Sequence, residues 1–570
     1  LAYSELRCGR WLTCLGTALT LFVAVVIGAD NAFLFFFAWE AITVCIYLIA
    51  TAGDDRGELG AGLLTGGLAK VGGAALLAAF ALLYAHTHSL SLETWAHATL
   101  SSGTRSVLFA LLLACFATKV GVLPLQGGLP AGYGAAPRLG SASLAVALCA
   151  GFYGLWRFEF QILGPLPVWC GDALLILGGA TALVGITYAL TQDSLRRFLG
   201  YSTVEHAGII AVGLGVALLG HAAHMPALAA AVLLAETLHV CAHNLAKTLA
   251  LIAADRVEQA TGRRTLDPLG GLTRRLPLSA LALGVSTLTL AAIPPLGGFV
   301  SEWFTFEALL QGFRMPTLLS RLLCALAAAT LALTAGLGLL AFAKFYSAIF
   351  LGHARTRLGS VREPTRRPAG LLGLTVVLLF LGTVAPWEIH AIGSALRDLL
   401  GFDLAGSTIS HPLVLTPVFK GFSVLAPTWL SIVLPAYALL AFALVRATRG
   451  RAVRLRPIRR APVWVTGSGA EPATVQYRPS AYSNPMRVIL RGPLGFRVRL
   501  VADEIEGRAA LRLDTRVVLA VDHFLYAPAA ALAQGVAGRV RMLQSGHLSM
   551  YLLYVLVALI VALALIPALH

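Results

Sequence analysis

Apolar residues fill long stretches of this chain, and polar residues gather in the short gaps between them. Crossing the hydrocarbon layer takes about 20 residues of helix, so an apolar run of roughly 18 or more reads as a transmembrane span. The pattern predicts roughly thirteen spans, near 11–29, 31–52, 59–84, 105–127, 138–160, 171–191, 198–220, 226–253, 277–311, 321–351, 370–387, 426–447 and 548–567. Two of them are interrupted. The run 105–127 carries Pro124 and leads into Gly127-Gly128, and the run 277–311 is broken by Pro294-Pro295 and Gly297-Gly298. Broken helices at membrane depth are tolerated only where they face protein or a wet cavity. Counting from one break to the next gives five spans, an odd number, so two five-helix repeats would be inverted relative to each other. The expected fold is an all-α polytopic bundle with two inverted five-helix repeats and a C-terminal extension. In that extension a lateral amphipathic helix is expected over about 503–544, with Val518, Val521, Leu525, Leu532, Val536, Val540 and Leu543 near one face, before the final span.

Composition agrees with the pattern. The chain is 58% hydrophobic and 12% charged, far from the roughly 25% charge of soluble domains. Its net charge of +16 comes from basic residues in loops, which set topology, and no nucleic-acid partner is expected. If the spans alternate, one side receives Arg7, Arg10, Arg56, Arg138, Arg196, Arg197, Arg256, Arg263, Arg264, Arg274 and Arg275. It also receives Arg355, Arg357, Arg362, Arg366, Arg367, Arg449, Arg451 and Arg454, against Arg105, Arg157, Arg314 and Arg397 on the other. The first side is expected to be cytoplasmic, in a bacterial-type inner (cell) membrane. The eight Cys form no CxxC pair and lie mostly in apolar runs. They read as small core residues, with no metal site, iron–sulfur cluster or disulfide framework.

Ionisable residues inside apolar runs are costly and usually functional. Glu40, Lys70, Lys119, His206, His239, His243, Lys247, Glu302 and Lys344 are the candidates, with Glu236 as a further one. A lysine in a low-dielectric interior is pushed toward its neutral form and a neighbouring carboxylate favours the charged form, so a buried Lys–Glu pair can exchange a proton. His239, His243 and Lys247 recur every four residues, one turn apart on one helix face. That ladder suits water-bridged proton passage. The alternatives are static: buried ion pairs, interhelical hydrogen bonds at the histidines, and snorkelling of Lys344 to the interface.

The motifs carrying these residues resemble a known family. They are Trp39-Glu40, the K-x-G-x-x-P of Lys119 to Pro124 with Leu129-Pro130, the run from Gln192 to His206, the H-x-x-x-K of His243 to Lys247, and the P-P-L-x-G-F-V-S-E-W of Pro294 to Trp303. The chain resembles the antiporter-like proton-translocating membrane subunits of complex I, multi-subunit cation/proton antiporters and membrane-bound hydrogenases. Its tail, with Gln476-Tyr477, Pro485 and residues 543–554, is most similar to the formate hydrogenlyase/hydrogenase-4 component B type. The resemblance implies that Glu40 and Lys119 form the Glu–Lys pair of a first half-channel. It makes Lys247, with His239 and His243, the central linkage and Glu302 the output-side residue. It also implies three spans before the first one here, on the order of 100 residues, in keeping with a chain that starts at Leu1 rather than Met. Departures stand out. Gln126 replaces the usual His after the first break, Ala131-Gly132 the usual Ala-His, and Cys149 a Lys before Tyr153-Gly154, while Lys70 stands where relatives carry His.

The expectation is therefore a proton-translocating subunit of a hydrogenase-like or complex-I-like redox assembly. It would bind no cofactor itself and would partner other membrane and peripheral subunits, the bilayer, and protons or sodium. Alternatives are a subunit of a cation/proton antiporter or of an ion-coupled inorganic-carbon transporter, or a transport-inactive structural arm. The expected divisions are a first half over 1–160, a second over 161–351, C-terminal spans over 352–447, a basic linker and surface helix over 448–547, and a final span over 548–570.

Overall fold

The structure is a computed structural model that describes residues 2–52, 56–138, 140–356, 358–364, 368–400, 409–411, 414–415, 425–451, 475–492, 495–505, 508–517, 521–541, 553–557 and 559–560. Its elements begin with α1 (Ala2–Gly28), α2 (Ala32–Ala50), α3 (Arg56–Thr87), α4 (Ser102–Val120), α5 (Gly128–Ala135) and α6 (Ala147–Trp156). They continue with α7 (Val168–Thr191), α8 (Leu195–Ala222), α9 (Pro226–Thr261), α10 (Pro277–Leu290), α11 (Gly297–Leu310) and α12 (Leu318–Phe350). After these come α13 (Pro368–Phe380), α14 (Ala385–Leu400) and α15 (Pro427–Arg451). Ten helices among the described residues are long and apolar enough to cross a membrane. The α10–α11 pair and the α13–α14 pair, bent by 86°, account for the expected spans 277–311 and 370–387. The span expected at 548–567 lies mostly outside the described residues.

Local chemistry sets the helix ends. Asn31, Ser101, Ser194 and Thr317 cap α2, α4, α8 and α12, each side chain accepting from a backbone N–H in the first turn. Pro226 and Pro277 open α9 and α10, where a missing N–H costs nothing. Both expected breaks are present. α4 stops at Gly121, whose φ of 89° closes the helix, and α5 resumes at Gly128. α10 stops before Pro294-Pro295, and α11 resumes at Gly297. The freed Leu123 N–H donates to Thr181 Oγ1 on α7 at 3.1 Å, so the first break is satisfied by protein rather than lipid. In each run of five long segments, Gly9 to Ile162 and Val168 to Phe350, the fourth is the broken one.

Helix α8 is the centre of the bundle, and its apolar window is entirely buried. It packs most extensively on α7, and small residues make that possible. A Cβ on Gly178 would come within 2.7 Å of Val212 N, and one on Gly208 would collide with Ala182 N. Close backbone approach of this kind is how membrane helices gain contact when lipid offers no hydrophobic contrast. The basic residues at the end of this pair differ from the expected loop charges. Arg196 is buried, donating to Asp255 at 3.0 Å and Glu258 at 2.6 Å, and Arg264 also meets Glu258, at 2.9 Å. Arg256 reaches Glu363 at 3.1 Å, while Glu363 accepts from the Leu278 and Ser279 N–H groups that open α10. These arginines tie helix ends together in addition to carrying loop charge.

The C-terminal segment from Pro485 forms a compact unit of its own. Its residues Arg497–Ile505 and Arg508–Arg516 pair as an antiparallel hairpin, Arg497 opposite Arg516 and Ile505 opposite Arg508. The helix expected from 503 therefore begins later, with a π turn at Asp522–Tyr526 and an α-helix at Ala527–Arg541. Alternating Arg-Val-Arg-Leu is a period-two pattern, and it prevails over the helical stripe drawn through it. Leu532, Val536 and Val540 are exposed on that helix, and Val518 and Leu543 lie outside the described residues.

Gly208→Leu should sharply reduce folded, monodisperse protein in detergent, since overpacking costs on the order of 1–3 kcal/mol or more. Gly67→Leu, placed in open space, should match wild type. Equal thermal stability of the two would contradict the close α7–α8 contact.

Candidate functional site

The first group of ionisable residues sits among α2, α3 and α4. Glu40 pairs directly with Lys70, whose side chain is 65% exposed against 21% for Glu40. Gly73 on α3 leaves the space into which the Glu40 carboxylate fits. Lys119 is buried at the end of α4 and donates to Thr43 Oγ1 at 2.8 Å, with its ammonium 4.5 Å from the Trp39 ring centroid. The direct ion pair is thus Glu40–Lys70, where the resemblance implied Glu40–Lys119. Thr43, one turn after Glu40, takes the Lys119 ammonium, and Trp39 on the same helix supplies a π face. Lys119 stays within the electrostatic field of both Glu40 and Lys70.

Beside Lys119 lies a cavity of about 40 Å³, lined also by Thr65, Thr118, Tyr133, Ala147 and Leu148. Space of roughly 10–15 Å³ admits one water if polar partners are present. The buried Tyr133 hydroxyl lies near Thr203 on α8 and makes no direct hydrogen bond among the described residues. Thr203 and Ser202 both donate to the Leu199 carbonyl, at 3.0 and 3.1 Å. That carbonyl also accepts from Lys247 at 3.3 Å, and Lys247 donates to Ser202 Oγ at 2.6 Å.

The second group surrounds Lys247, which is fully buried on α9. The carboxylate acting on it is Glu205 of α8, buried with one oxygen unpartnered. His243, one turn before Lys247, has no hydrogen-bond partner on either ring nitrogen, and its ring lies 4.8 Å from that of His206. His206 Nδ1 and His239 Nε2 are 3.0 Å apart, and His239 Nδ1 is 3.0 Å from Ser301 Oγ. Ser301 donates its hydroxyl to the Gly298 carbonyl at 3.0 Å. In the tautomer that keeps this hydroxyl hydrogen on the carbonyl, His239 donates from Nδ1 to Ser301 and its Nε2 lone pair accepts from His206 Nδ1. The result is a directed run from α8 through α9 to α11, ending next to buried Glu302. His206, His239 and Glu302 offer atoms all within 4.8 Å of one another. Glu236, also buried, accepts from Thr305 at 2.9 Å.

Lys344 stands apart. It is fully buried and does not snorkel. Its ammonium donates to the Leu190 and Gln192 carbonyls at 2.8 and 2.7 Å and lies 3.6 Å from Asp193 Oδ1. A cation there satisfies carbonyls left open at the C-terminus of α7. Pro124 and the Pro294-Pro295 pair lie in the two breaks, and the second break places Ser301 and Glu302 one turn into α11. Sequence reasoning passed over Glu205, Ser202, Ser301, Thr43 and Tyr133. Glu205 had a signal, a carboxylate inside an apolar run next to His206. The hydroxyls had none, since Ser and Thr are ordinary in membrane helices. Cys149, where a lysine was expected, accepts a hydrogen bond from Asn244 Nδ2 at 3.0 Å.

A family model described as NADH:quinone oxidoreductase/Mrp antiporter, transmembrane, matches residues 29–324. The chain is 28% identical to hydrogenase-4 component B of Escherichia coli, covering 97% of this chain and 83% of that protein. It is 31% identical to the uncharacterized protein Rv0083 of Mycobacterium tuberculosis, covering 95% and 86%. Formate hydrogenlyase subunit 3 of Escherichia coli is 32% identical over 52% of this chain and 49% of its own length. Among solved structures, the fold is similar to a chain of an archaeal membrane-bound sulfane sulfur reductase, with a TM-score of 0.66 and 20% identity over 97% of this chain and 88% of that one. It is also similar to a chain of the Mrp complex of Dietzia sp. DQ12-45-1b, with a TM-score of 0.59 and 22% identity over 96% and 50%.

Lys344→Met should lower the unfolding temperature of the solubilised protein, because the buried Leu190 carbonyl would lose its donor at about 1–3 kcal/mol and the half-buried Gln192 carbonyl would lose its own. An unchanged melting curve would contradict the helix-end role.

Proposed function

Because this chain belongs to the NADH:quinone oxidoreductase/Mrp antiporter transmembrane family, we propose that it carries protons through the membrane along its buried Lys–Glu–His axis. It does so as the antiporter-like subunit of a hydrogenase-like or complex-I-like assembly whose redox centres lie on other subunits. The observation that carries the reading is the sealed run His206–His239–Ser301 beside Glu302, with Lys247 and Glu205 at its other end. Titratable groups held in a membrane interior are expensive, and proton relays are a main reason to keep them.

The route starts at the Glu40–Lys70 pair and Lys119. The direct step through position 149 is unavailable, since a thiol accepting from Asn244 carries no exchangeable charge at neutral pH. The cavity beside Lys119 offers a way round it. Water there would connect Lys119 to Tyr133, whose hydroxyl lies near Thr203, next to the Ser202 that holds Lys247. From Lys247 the proton passes His243, His206 and His239 to Glu302. Lys344 is left outside this route. Residues 1–160 and 161–351 form the two halves, related by inversion, and the basic loops face the cytoplasm of a bacterial cell.

A second reading, a structural arm that moves no protons, is favoured by Gln126 and Cys149 standing where the family usually carries His and Lys. Proton-translocation assays on the complex in vesicles separate the two. Lys247→Ala and Glu302→Gln should each cut transport by on the order of 10²-fold. Tyr133→Phe should slow it markedly, and Cys149→Ala should leave it near wild type. Full transport in the first two variants would defeat the relay, and full transport in Tyr133→Phe alone would defeat the detour.

A further inference from the structure

Three donor atoms that the sequence keeps far apart converge inside the bundle. Positions 206, 239 and 302 show no metal-ligand spacing in the chain, yet their side chains come together where α8, α9 and α11 meet. We propose that His206, His239 and Glu302 form a binding site for a zinc-class dication, Zn²⁺, whose occupancy displaces the proton shared by the two histidines. The site uses atoms of the route proposed above, but metal binding there does not require that route to conduct.

The chemistry of the donors fits. Two imidazoles and a carboxylate are a common zinc ligand set, with bonds of about 2.0–2.2 Å and the fourth position open. Tetrahedral geometry at those lengths puts ligand atoms about 3.3 Å apart. His206 Nδ1 and His239 Nε2 already lie 3.0 Å apart. Glu302 completes the set within 4.8 Å, and binding would require its carboxylate to swing toward the two imidazoles.

The surroundings resemble a supporting shell. A ligating histidine normally passes its other N–H to an oxygen acceptor, which fixes the ring. His239 is placed to do so, its Nδ1 lying 3.0 Å from Ser301 Oγ, while Ser301 in turn reaches the Gly298 carbonyl. The site also contains unspent donors. His206 Nε2 has no partner, and neither nitrogen of the buried His243 has one, its ring being 4.8 Å from that of His206. Buried polar atoms left unpaired are rare, and His243 could fill the fourth position. Binding through His206 Nδ1 moves that ring's proton to Nε2, so the histidine pair loses its hydrogen bond without changing its own charge.

The intact complex, stripped with chelator and equilibrated with excess Zn²⁺, should retain one more tightly held zinc per copy of this chain than the His239→Gln or Glu302→Gln variants. Elemental analysis after desalting reads this directly. Cobalt loaded in place of zinc should add visible d–d absorption of a low-coordinate site in wild type only. His221→Gln and His224→Gln, at the exposed end of α8, should keep the full complement. Equal metal content in wild type and both site variants overturns the proposal, as does cobalt absorption that survives in both. If one site variant fails to fold, the other decides. A failure of proton transport in wild type would sink the relay and leave this stoichiometry unaffected.

Discussion

A charge placed in the hydrocarbon layer must be answered by protein, since no water is there to solvate it. That constraint organises this molecule from α8 outward. Glycines on α7 and α8 let the two backbones meet closely, and α8, whose apolar window is entirely buried, carries Ser202, Glu205 and His206 into the interior beside α9. A looser α7–α8 pair would expose those groups and remove the reason for Lys247 and the histidines to sit opposite them. The two breaks serve the same end. The first frees the Leu123 N–H, which Thr181 of α7 satisfies, and the second sets Ser301 where it can hold His239.

Buried ionisable groups among the described residues differ in how fully they are paired, and unpartnered atoms also occur off the proposed axis, both carboxylate oxygens of Glu159 among them. Arg196, Arg256 and Lys344 have short contacts to opposite charges or helix-end carbonyls, as fits groups that fasten helix ends. Along the proposed axis, satisfaction is incomplete: Glu205, His206 and His243 all carry unpartnered atoms. A fastening network gains from being fully paired. A relay needs vacancies, because a proton can only move to an atom able to take it.

Much of this was legible in the sequence. Spans followed from run length, the breaks from Pro124 and Pro294-Pro295, and the burial of Lys119, Lys247, His206, His239 and His243 from their place inside apolar runs. What escaped was pairing. Nothing in the spacing says that Glu40 meets Lys70 while Lys119 turns to Thr43, because that choice depends on Gly73 making room across an interface. Arg196 and Arg256 read as loop charges because burial at a helix end is a tertiary property. Glu205 was overlooked although it stood beside a chosen histidine. In the tail, period two and period 3.6 competed over residues 497–516, and the hairpin prevailed.

The central claim is that one hydrated polar track joins the two halves past Cys149. Ordered water is its most direct measure. A map of the assembled complex at a resolution that shows bound water should reveal density in the cavity between Lys119 and Tyr133, at hydrogen-bonding distances from both and continuing toward Thr203 and Lys247. A dry cavity, with apolar side chains closed between Lys119 and Tyr133, would contradict the account.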